Sequence, residues 1–587
     1  MKKNKSHSAP VVASSSRRNF LGKVGGVTAA AIVTGIATQP ALAQAVNNGE
    51  KNTPPINQVT TEGTGFDPNR VLKSYQCRVN AANMALQRPI VEQLSNGDDE
   101  RYPNKIGSYS KALPHNQLGE VDLNAYATLV KARTTGNPAD FEAIQLGLGR
   151  KLTSPQAGLA MDLEGPDSHH VTLPAAPRFD SAEEAGEMVE LYWMALARDV
   201  NFSDYGTDPI IAAAAVDLSR LSDFRGPRDG GRTVRNAQVA EEGSRLADLR
   251  GRKSNGQITP NTIFRNSSLG DLTGPWLSQF LTLDFPFGAN AVSQKMKTLP
   301  AGTNYMTKYQ DWLDVQNGAD PSQNIQYDAT PRYIRNLRDM AQWVHVDALY
   351  QAYLHACLIM LAQGTRFDSG LPIYNSKSQA GFAQCGGPHI LSFVTEVATR
   401  ALKAVWYQKW FIQHRLRAEE FGGRVHNYMT GAAKYPIHSD VLNSRVVTET
   451  YKKYGTFLLP MAFPEGSPTH SSYGSGHATV AGACVTALKA FFDETDIIKN
   501  PMVSNADGTA LVPYDGAPLT VGGELNKVAS NVANGRNGAG LHWRTDAVNS
   551  LKLGEAITIG ILEEQKLTYN DNVRMTLTKF DGTTITI

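Results

Sequence analysis

The chain has 587 residues, of which 41% are hydrophobic and 19% are charged, so it can bury a large core and is not a disordered polypeptide. Its formal net charge of +2 comes from the first 43 residues, which carry six Lys and Arg and no acid. The rest of the chain has 51 basic against 55 acidic side chains, a balance that gives no support to a nucleic-acid partner.

The N-terminus has the pattern of an export signal. Arg17 and Arg18 precede an apolar stretch that is too short, and too rich in Gly, Ala and Thr, to span a membrane. We therefore predict a twin-arginine signal peptide over residues 1–43 and a flexible N-terminal arm over residues 44–69. The mature protein is expected to be periplasmic or secreted, with no membrane segment.

Helical patterns dominate residues 70–587 and predict an all-α fold of helical bundles in a single large domain, with the active-site half at about 385–570. Ser181 followed by Glu184 is the pattern of a capping box at the start of one helix. Thr330-Pro331 is typical of a cap followed by proline in the first turn, and predicts one long helix that continues toward Leu361.

A second long helix is predicted from Ile390 to Arg417, ending near Gly422-Gly423 because glycines sustain a helix poorly. The stretch 200–330, rich in Gly, Asn, Asp and Pro, is expected to wrap the core and shape the entrance to it, with a short helical piece at 275–283. At the C-terminus, alternating residues around Asp581-Gly582 predict a β-hairpin with a two-residue turn.

The four cysteines are widely spaced and include no CxxC pair, which argues against a zinc site. Export permits a disulfide bond, but spacing does not reveal a pairing among Cys77, Cys357, Cys385 and Cys484.

Five short segments of the C-terminal half carry the groups that an oxyanion needs. Lys409 and Arg417 are eight residues apart, so on a continuous helix they differ by about 80° around the axis and about 12 Å along it, and both could reach one ligand. Trp406, Trp410 and Phe411 surround the lysine with aromatic surface, which favours a buried cation that needs an anion.

The run from His470 to His477 leads into a further helix, with Ser475 and Gly476 at its start. The unpaired N–H groups of a helix start attract anions, and glycine allows an anion to approach closely. Arg536 lies six residues before His542 and can donate to two anion oxygens at once. Together, these segments predict a binding site for phosphate or vanadate.

These segments resemble the vanadium-dependent haloperoxidases of the algal and cyanobacterial bromoperoxidase type, which share their anion site with bacterial acid phosphatases and phosphatidic-acid phosphatases. The resemblance is carried by the Lys–Arg spacing, a histidine seven residues before that of Ser-Gly-His, the Arg-x5-His-Trp-Arg-x-Asp run, and residues 274–280. It covers the chain from about residue 70 to the end.

The resemblance implies a vanadate cofactor with His542 as the axial vanadium ligand. Lys409, Arg417 and Arg536 would neutralise the oxygens of the anion, and Ser475 and the Gly476 amide would donate hydrogen bonds to it. The implied reaction is the oxidation of bromide or iodide by hydrogen peroxide to hypohalous acid, which then halogenates a small organic acceptor.

Three catalytic side chains are implied by the same resemblance: His477 as acid and base, Lys409 to polarise the peroxide, and His470 to tune His477 or the approach of halide. His470 also favours bromide over chloride, because the chloride-oxidising fungal relatives have an aromatic residue there. The chain departs from the family pattern at Gln408, where some algal relatives carry Arg, and at Ala418, where many relatives carry Pro.

Two further expectations and one alternative remain open. The resemblance implies a homo-oligomer and a structural calcium site at residues 363–368, where the single carboxylate of Asp368 is a poor cage for a hard cation. The alternative function is an acid phosphatase in which the same cage holds phosphate, His542 is the nucleophile and His477 protonates the leaving group.

Overall fold

The computed structural model describes residues 69–229 and 256–587, which are mostly helical with six short strands. The α-helices are α1 (Arg70–Gln87), α2 (Asp98–Arg101), α3 (Leu123–Thr135), α4 (Pro138–Glu142), α5 (Ala182–Leu196), α6 (Pro209–Arg220), α7 (Tyr309–Gln316), α8 (Leu337–Val346), α9 (Gln351–Gln363), α10 (Gly387–Tyr407), α11 (Ala418–Met429), α12 (Ser439–Leu442), α13 (Arg445–Tyr454), α14 (Gly476–Phe491), α15 (Val521–Gly538) and α16 (Arg544–Lys566). The predicted signal peptide and nearly all of the predicted arm lie outside the described residues.

The strands form three separate antiparallel pairs: β1 (Phe285–Phe287) with β2 (Asn290–Val292), β3 (Met502–Ser504) with β4 (Leu511–Pro513), and β5 (Thr576–Thr578) with β6 (Thr584–Thr586). The all-α prediction with a C-terminal hairpin is thus confirmed. The predicted two-residue turn is wrong, because Thr578 pairs with Thr584 and five residues connect the strands.

Helix α14 is the centre of the C-terminal bundle and packs against α10, α15 and α16. All of its residues except His477 are buried. Its contact with α16 depends on two glycines: a Cβ at Gly482 would lie 1.9 Å from the carbonyl oxygen of Leu551, and one at Gly554 would lie 1.9 Å from that of Thr479. This close approach fixes the backbone that carries His477.

The single long helix predicted from Thr330 toward Leu361 is wrong in two respects. Thr330-Pro331 lies outside any helix, and Asn336 caps α8 instead, since its side chain accepts from the Asp339 amide. The chain then leaves the helix at Asp347, whose backbone is extended, and α9 follows at an angle of 101°. The break directs the Asp347 side chain toward His477.

Lys409 and Arg417 do not share one helix, contrary to prediction. After α10 the chain forms a π-helical turn, Gln408–Gln413, and His414 then adopts a left-handed φ of 44°. Arg417 is the N-cap of α11, which includes Gly422 and Gly423 instead of ending at them.

The two glycines of α11 are needed for close packing, not for termination. A Cβ on Gly423 would lie 2.0 Å from the Trp312 ring, and one on Gly422 would lie 2.9 Å from the Leu459 amide. Their placement shows why a glycine pair alone is an ambiguous signal for the end of a helix.

The described parts of the stretch 200–330 do cover the core, as expected. Ser278 and Gln279 are buried and bond to Glu524 at the start of α15, and Gln279–Leu281 forms a single 3-10 turn within the predicted helical piece. The site cavity, however, is lined by residues from other segments, so the expected role at the entrance is not supported.

Tyr75–Ile587 form one compact unit. Among the described helices, none alone is long and apolar enough to cross a membrane, whereas α8 and α9 reach that length and hydropathy only as a sharply bent pair.

Candidate active site

Lys409 is held within the π-helical turn, where its ammonium is fully buried. Nζ donates to the carbonyl oxygens of Ser471 and Ser472, both at 2.9 Å, and lies 5.8 Å from the centre of a Trp406 ring. Burial and the neighbouring Arg417 charge hold the pKa of Lys409 well below its usual value. An anion in contact with this group would offset both effects.

Arg417 connects three parts of the site. Its Nε donates to the His470 carbonyl oxygen at 2.9 Å, and Nη2 donates to Nδ1 of the same residue at 2.8 Å. Nη1 donates to the Leu541 carbonyl oxygen at 2.9 Å and to Nε2 of His542 at 3.0 Å. The guanidinium therefore sets the position of both histidines.

His542 is oriented by a carboxylate one helical turn further along the chain. Its Nδ1 donates to Oδ2 of Asp546 at 2.8 Å, and the Ser472 hydroxyl also donates to that oxygen. With the proton on Nδ1, Nε2 carries a lone pair, as a metal ligand requires. Burial and the Arg417 charge hold the pKa of His542 well below its usual value, which keeps the ring neutral.

Ser475 and Gly476 lie at the start of α14, as predicted, but the Ser475 hydroxyl is already bonded to the helix. Ser475 is the N-cap, and its hydroxyl accepts from the Ala478 amide at 3.3 Å. The hydroxyl proton can still be donated to an anion, because a serine oxygen accepts and donates at once. A Cβ on Gly476 would lie 3.2 Å from the Trp406 ring, so the glycine allows tight packing beside the site.

His477 is paired with Asp347 across the cavity, with Nε2 donating to Oδ1 at 3.0 Å. Burial lowers the pKa of His477, while the charge of Asp347 opposes that shift. The pKa of Asp347 is lowered because the His477 charge and hydrogen bond outweigh the effect of burial. The Asp347 carboxylate thus favours the protonated form of His477 and offsets part of the effect of burial.

Arg536 lies in the last turn of α15, where its Nη1 donates to the Val344 carbonyl oxygen at 2.7 Å. Its Nε is buried without a protein partner in the described part of the chain. Burial lowers the pKa of Arg536 to about 10. In residues 69–229 and 256–587, no ion pair joins Lys409, Arg417 or Arg536 directly to a carboxylate. The charges of Asp546 and Asp347 act on these cations only from a distance, so an anion could still bind among them.

A cavity of about 300 Å³ opens onto this cage. The predicted residues on its wall are His470, Gly476, His477, Arg536 and His542. The other three predicted residues are close to that wall. Arg417 donates to His542, Lys409 donates to the carbonyl oxygen of Ser471 next to His470, and Ser475 precedes Gly476. The other lining residues are Arg150, His345, Asp347, Leu349, Leu402, Trp406, Phe463, Glu465, Gly466 and Pro468.

Sequence reasoning assigned no role to the two carboxylates that orient the histidines. Asp546 follows His542 by four residues at a helix start, so an i, i+4 contact could have been anticipated. Arg415 donates to Oδ1 of Asp546 at 2.8 Å and also pairs with Glu184 and Glu187. Asp347 lies 130 residues from His477, and no local pattern marks it.

The four cysteines are free thiols, and no disulfide is formed. The residues described include no cluster of three or more His, Cys, Asp or Glu side chains arranged for a metal ion. At the predicted calcium loop, the carbonyl oxygen of Gln363 accepts from the Lys499 ammonium at 2.5 Å, and Asp368 accepts from the Gly370 amide. An ammonium at this position disfavours a cation.

Comparisons with known proteins identify the family of this chain. Residues 442–570 match a family model described as the VCPO second helical-bundle domain. The chain is 37% identical to vanadium-dependent bromoperoxidases of Corallina pilulifera and Corallina officinalis; each alignment covers 88% of this chain and 98% of the relative. It is 33% identical to a vanadium-dependent bromoperoxidase of Ascophyllum nodosum, over 87% of this chain and 91% of the relative.

A solved structure shares the fold across nearly the whole chain. It is the homohexameric second vanadate-dependent bromoperoxidase of Ascophyllum nodosum, which is 29% identical with a TM-score of 0.81; the match covers 94% of this chain and 96% of that one. The residues that match the family model include His470 to His477, Arg536 and His542. The chain therefore belongs to the family of vanadium-dependent bromoperoxidases.

Proposed function

We propose that this protein uses vanadate to oxidise bromide or iodide with hydrogen peroxide, producing hypohalous acid that halogenates small organic acceptors. The observation that carries the proposal is the hydrogen bonding of the two ring nitrogens of His542. Its Nδ1 is bound to Asp546, and its Nε2 lone pair faces Arg417 at the cavity wall. This is how a histidine is prepared for a single bond to a metal centre.

The residues present fit a vanadate anion. Three buried cations lack carboxylate partners in the described chain, and the start of α14 adds backbone amides at Gly476. Lys409, Arg417 and Arg536 would hold the oxygens, Ser475 and Gly476 would donate hydrogen bonds, and His542 would bind vanadium. When bound, vanadium(V) supplies a Lewis acid that activates hydrogen peroxide toward halide.

Other side chains of the site have roles in proton transfer, in peroxide activation and in halide access. His477 would accept and release a proton at its ring as acid and base, and Asp347 orients that ring and stabilises its protonated form. Lys409, buried and short of negative charge, polarises the peroxide. Arg417 holds His470 beside Trp406, with ring centres 4.9 Å apart, where His470 limits the space for halide.

The same cage could hold phosphate, so an acid phosphatase with His542 as nucleophile is the competing hypothesis. The relatives that cover most of the chain are named bromoperoxidases, which disfavours it. Purified protein freed of vanadate would be incubated with orthovanadate, hydrogen peroxide and bromide, and bromination of a diketone followed. Phosphate-ester hydrolysis would be assayed in parallel.

We expect vanadate-dependent bromination in the wild type and none in His542→Ala. Phosphate-ester hydrolysis without bromination would contradict the proposal and favour the phosphatase. His355→Ala is a suitable control, because His355 is partly buried outside the cavity and bonds to Gln294.

Three further proposals concern location, assembly and a second metal. The Arg17-Arg18 pattern supports export by the twin-arginine route and a periplasmic or secreted protein. The homohexameric relative supports a homo-oligomer. Structural calcium at residues 363–368 has only Asp368 in its favour, and metal analysis of the purified protein would test it.

A further inference from the structure

His345 and Glu465 form an imidazole–carboxylate pair on the cavity wall, apart from the residues of the anion cage. His345 Nε2 donates to Glu465 Oε1 at 2.6 Å, and the two side chains are 13% and 10% exposed. The His345 ring stacks on Phe463, with ring centres 3.7 Å apart and planes 11° apart. Both residues line the same cavity as His477 and His542.

The pair is joined to the cage through the backbone of α8. Arg536, one of the three cage cations, donates through Nη1 to the carbonyl oxygen of Val344, the residue before His345. Two residues after His345, where α8 ends, Asp347 accepts from His477. The end of α8 therefore places both His345 and Asp347, the partner of His477, on the wall of the active-site cavity.

The Glu465 carboxylate is not required to hold its own loop. Lys111 Nζ donates to the carbonyl oxygens of Glu465 and Ser467, at 2.8 and 2.6 Å, and Arg150 Nη1 donates to the Glu465 carbonyl oxygen at 3.1 Å. The loop is thus fixed through its backbone. The stack on Phe463 likewise fixes the His345 ring without help from the carboxylate.

Each member of the pair also has a second polar atom without a protein partner. Nδ1 of His345 and Oε2 of Glu465 are buried, and neither has a hydrogen-bond partner among the described protein atoms. Buried polar atoms are normally satisfied, so these two favour contact with water or a small ligand. An imidazole bonded to a carboxylate on one side and to water on the other can accept and release protons.

The reaction needs such a proton source. Hydrogen peroxide, bromide and one proton give hypobromous acid and water: the O–O bond breaks, an O–Br bond forms, and bromide loses the two electrons that peroxide gains. The proton goes to the oxygen that leaves as water. Each turnover therefore removes one proton from a cavity of about 300 Å³.

We propose that His345 and Glu465 are a proton-delivery pair that carries this proton from solvent into the active-site cavity. The inference rests on the proposed haloperoxidase function and adds a role for two residues outside the anion cage. Glu465 stays ionised, since the His345 hydrogen bond and charge outweigh burial and lower its pKa. In the described part of the chain, the other charged or titratable groups beside the pair or on the same cavity wall are Lys111, Arg150, Tyr305, Asp347, Glu419, His470, His477, Arg536 and His542.

The test compares vanadate-loaded His345→Gln and Glu465→Gln with the wild type. We expect kcat for bromide oxidation to fall about 10- to 100-fold above neutral pH, with KM for peroxide and bromide within about twofold. The loss should shrink as the pH is lowered, because free hydronium then replaces the pair. Added acetic acid buffer should also restore kcat in proportion to its acid form, which a purely structural role would not produce.

Two controls make the result decisive. Vanadate affinity, measured on the vanadate-free proteins by equilibrium dialysis, should stay within about twofold of wild type. His426→Gln replaces a histidine that also stacks on an aromatic ring, Tyr309, but lies outside the cavity, and it should leave kcat unchanged.

A loss of kcat that is independent of pH and buffer, or unchanged kcat in both variants, would overturn the proposal. So would a loss of vanadate affinity as large as the loss of kcat. Absence of bromide oxidation in the wild type would instead contradict the proposed function.

Discussion

Replacing Asp546 by asparagine tests the central feature of the site, which is the orientation of His542. Both carboxylate oxygens of Asp546 are in use: Oδ2 accepts from His542, from the Ser472 hydroxyl and from the Trp543 amide, and Oδ1 accepts from Arg415 at 2.8 Å. The side chain is fully buried, so water does not replace a lost partner. Asn has the same shape but only one acceptor oxygen.

The effect of the substitution depends on the hydrogen bonds that Arg415 and His542 make with residue 546. Arg415 is a charged donor at 2.8 Å and holds an amide oxygen more strongly than the neutral Trp543 amide at 3.3 Å does, so the oxygen of the asparagine faces Arg415 and its NH2 group faces His542. His542 Nδ1 must then accept a hydrogen bond, which moves the ring proton to Nε2. Nε2 can no longer donate a lone pair to vanadium unless the ring flips or loses that hydrogen bond.

The expected cost is a 10- to 100-fold loss of vanadate affinity, which is about 1.4 to 2.7 kcal/mol. Vanadate-free protein would be titrated with orthovanadate, and binding followed both by equilibrium dialysis and by recovery of bromination activity. Asp339→Asn is the matched control: Asp339 is equally buried and pairs with an arginine, Arg335, but it does not line the cavity.

The control variant should lose stability and keep its vanadate affinity. Arg415 keeps Glu184 and Glu187 as partners in Asp546→Asn, so we expect that variant to fold. Vanadate affinity within twofold of wild type in folded Asp546→Asn would refute the argument that the carboxylate sets the tautomer of His542.

Three further predictions follow from other contacts. Asp347→Asn removes a charge that raises the pKa of His477, so the part of the kcat–pH profile that needs protonated His477 should move to lower pH; an unchanged profile would exclude this role. Gly554→Ala should lower the melting temperature by an amount corresponding to about 1–3 kcal/mol, because the new Cβ meets the α14 backbone; Gly206→Ala, where a Cβ meets nothing, should be neutral. His470→Phe should raise the ratio of chloride to bromide oxidation, and an unchanged ratio would remove His470 from halide selection.

The helix start at Ser475 and the cap at Ser181 could be predicted because both depend on side chains that bond to the backbone three residues ahead. The break at Asp347 and the π-helical turn at Lys409 could not. Hydrophobic spacing continues through both, and each is stabilised by contacts with distant segments: Asp347 with His477, and Lys409 with the Ser471 and Ser472 carbonyl oxygens.

The linear order of Lys409, Arg417, Ser-Gly-His and Arg-x5-His determined by itself which chemical groups meet an anion, because the charge and hydrogen-bonding capacity of a side chain do not depend on the fold. Apart from the local contacts of His542 with Asp546 and of Ser475 with its own helix, the tertiary structure decided how those groups are oriented. The partners of His477 and His345 lie 130 and 120 residues away in sequence. Hydrogen bonds between separate elements depend on how the helices pack, and local sequence does not contain that information.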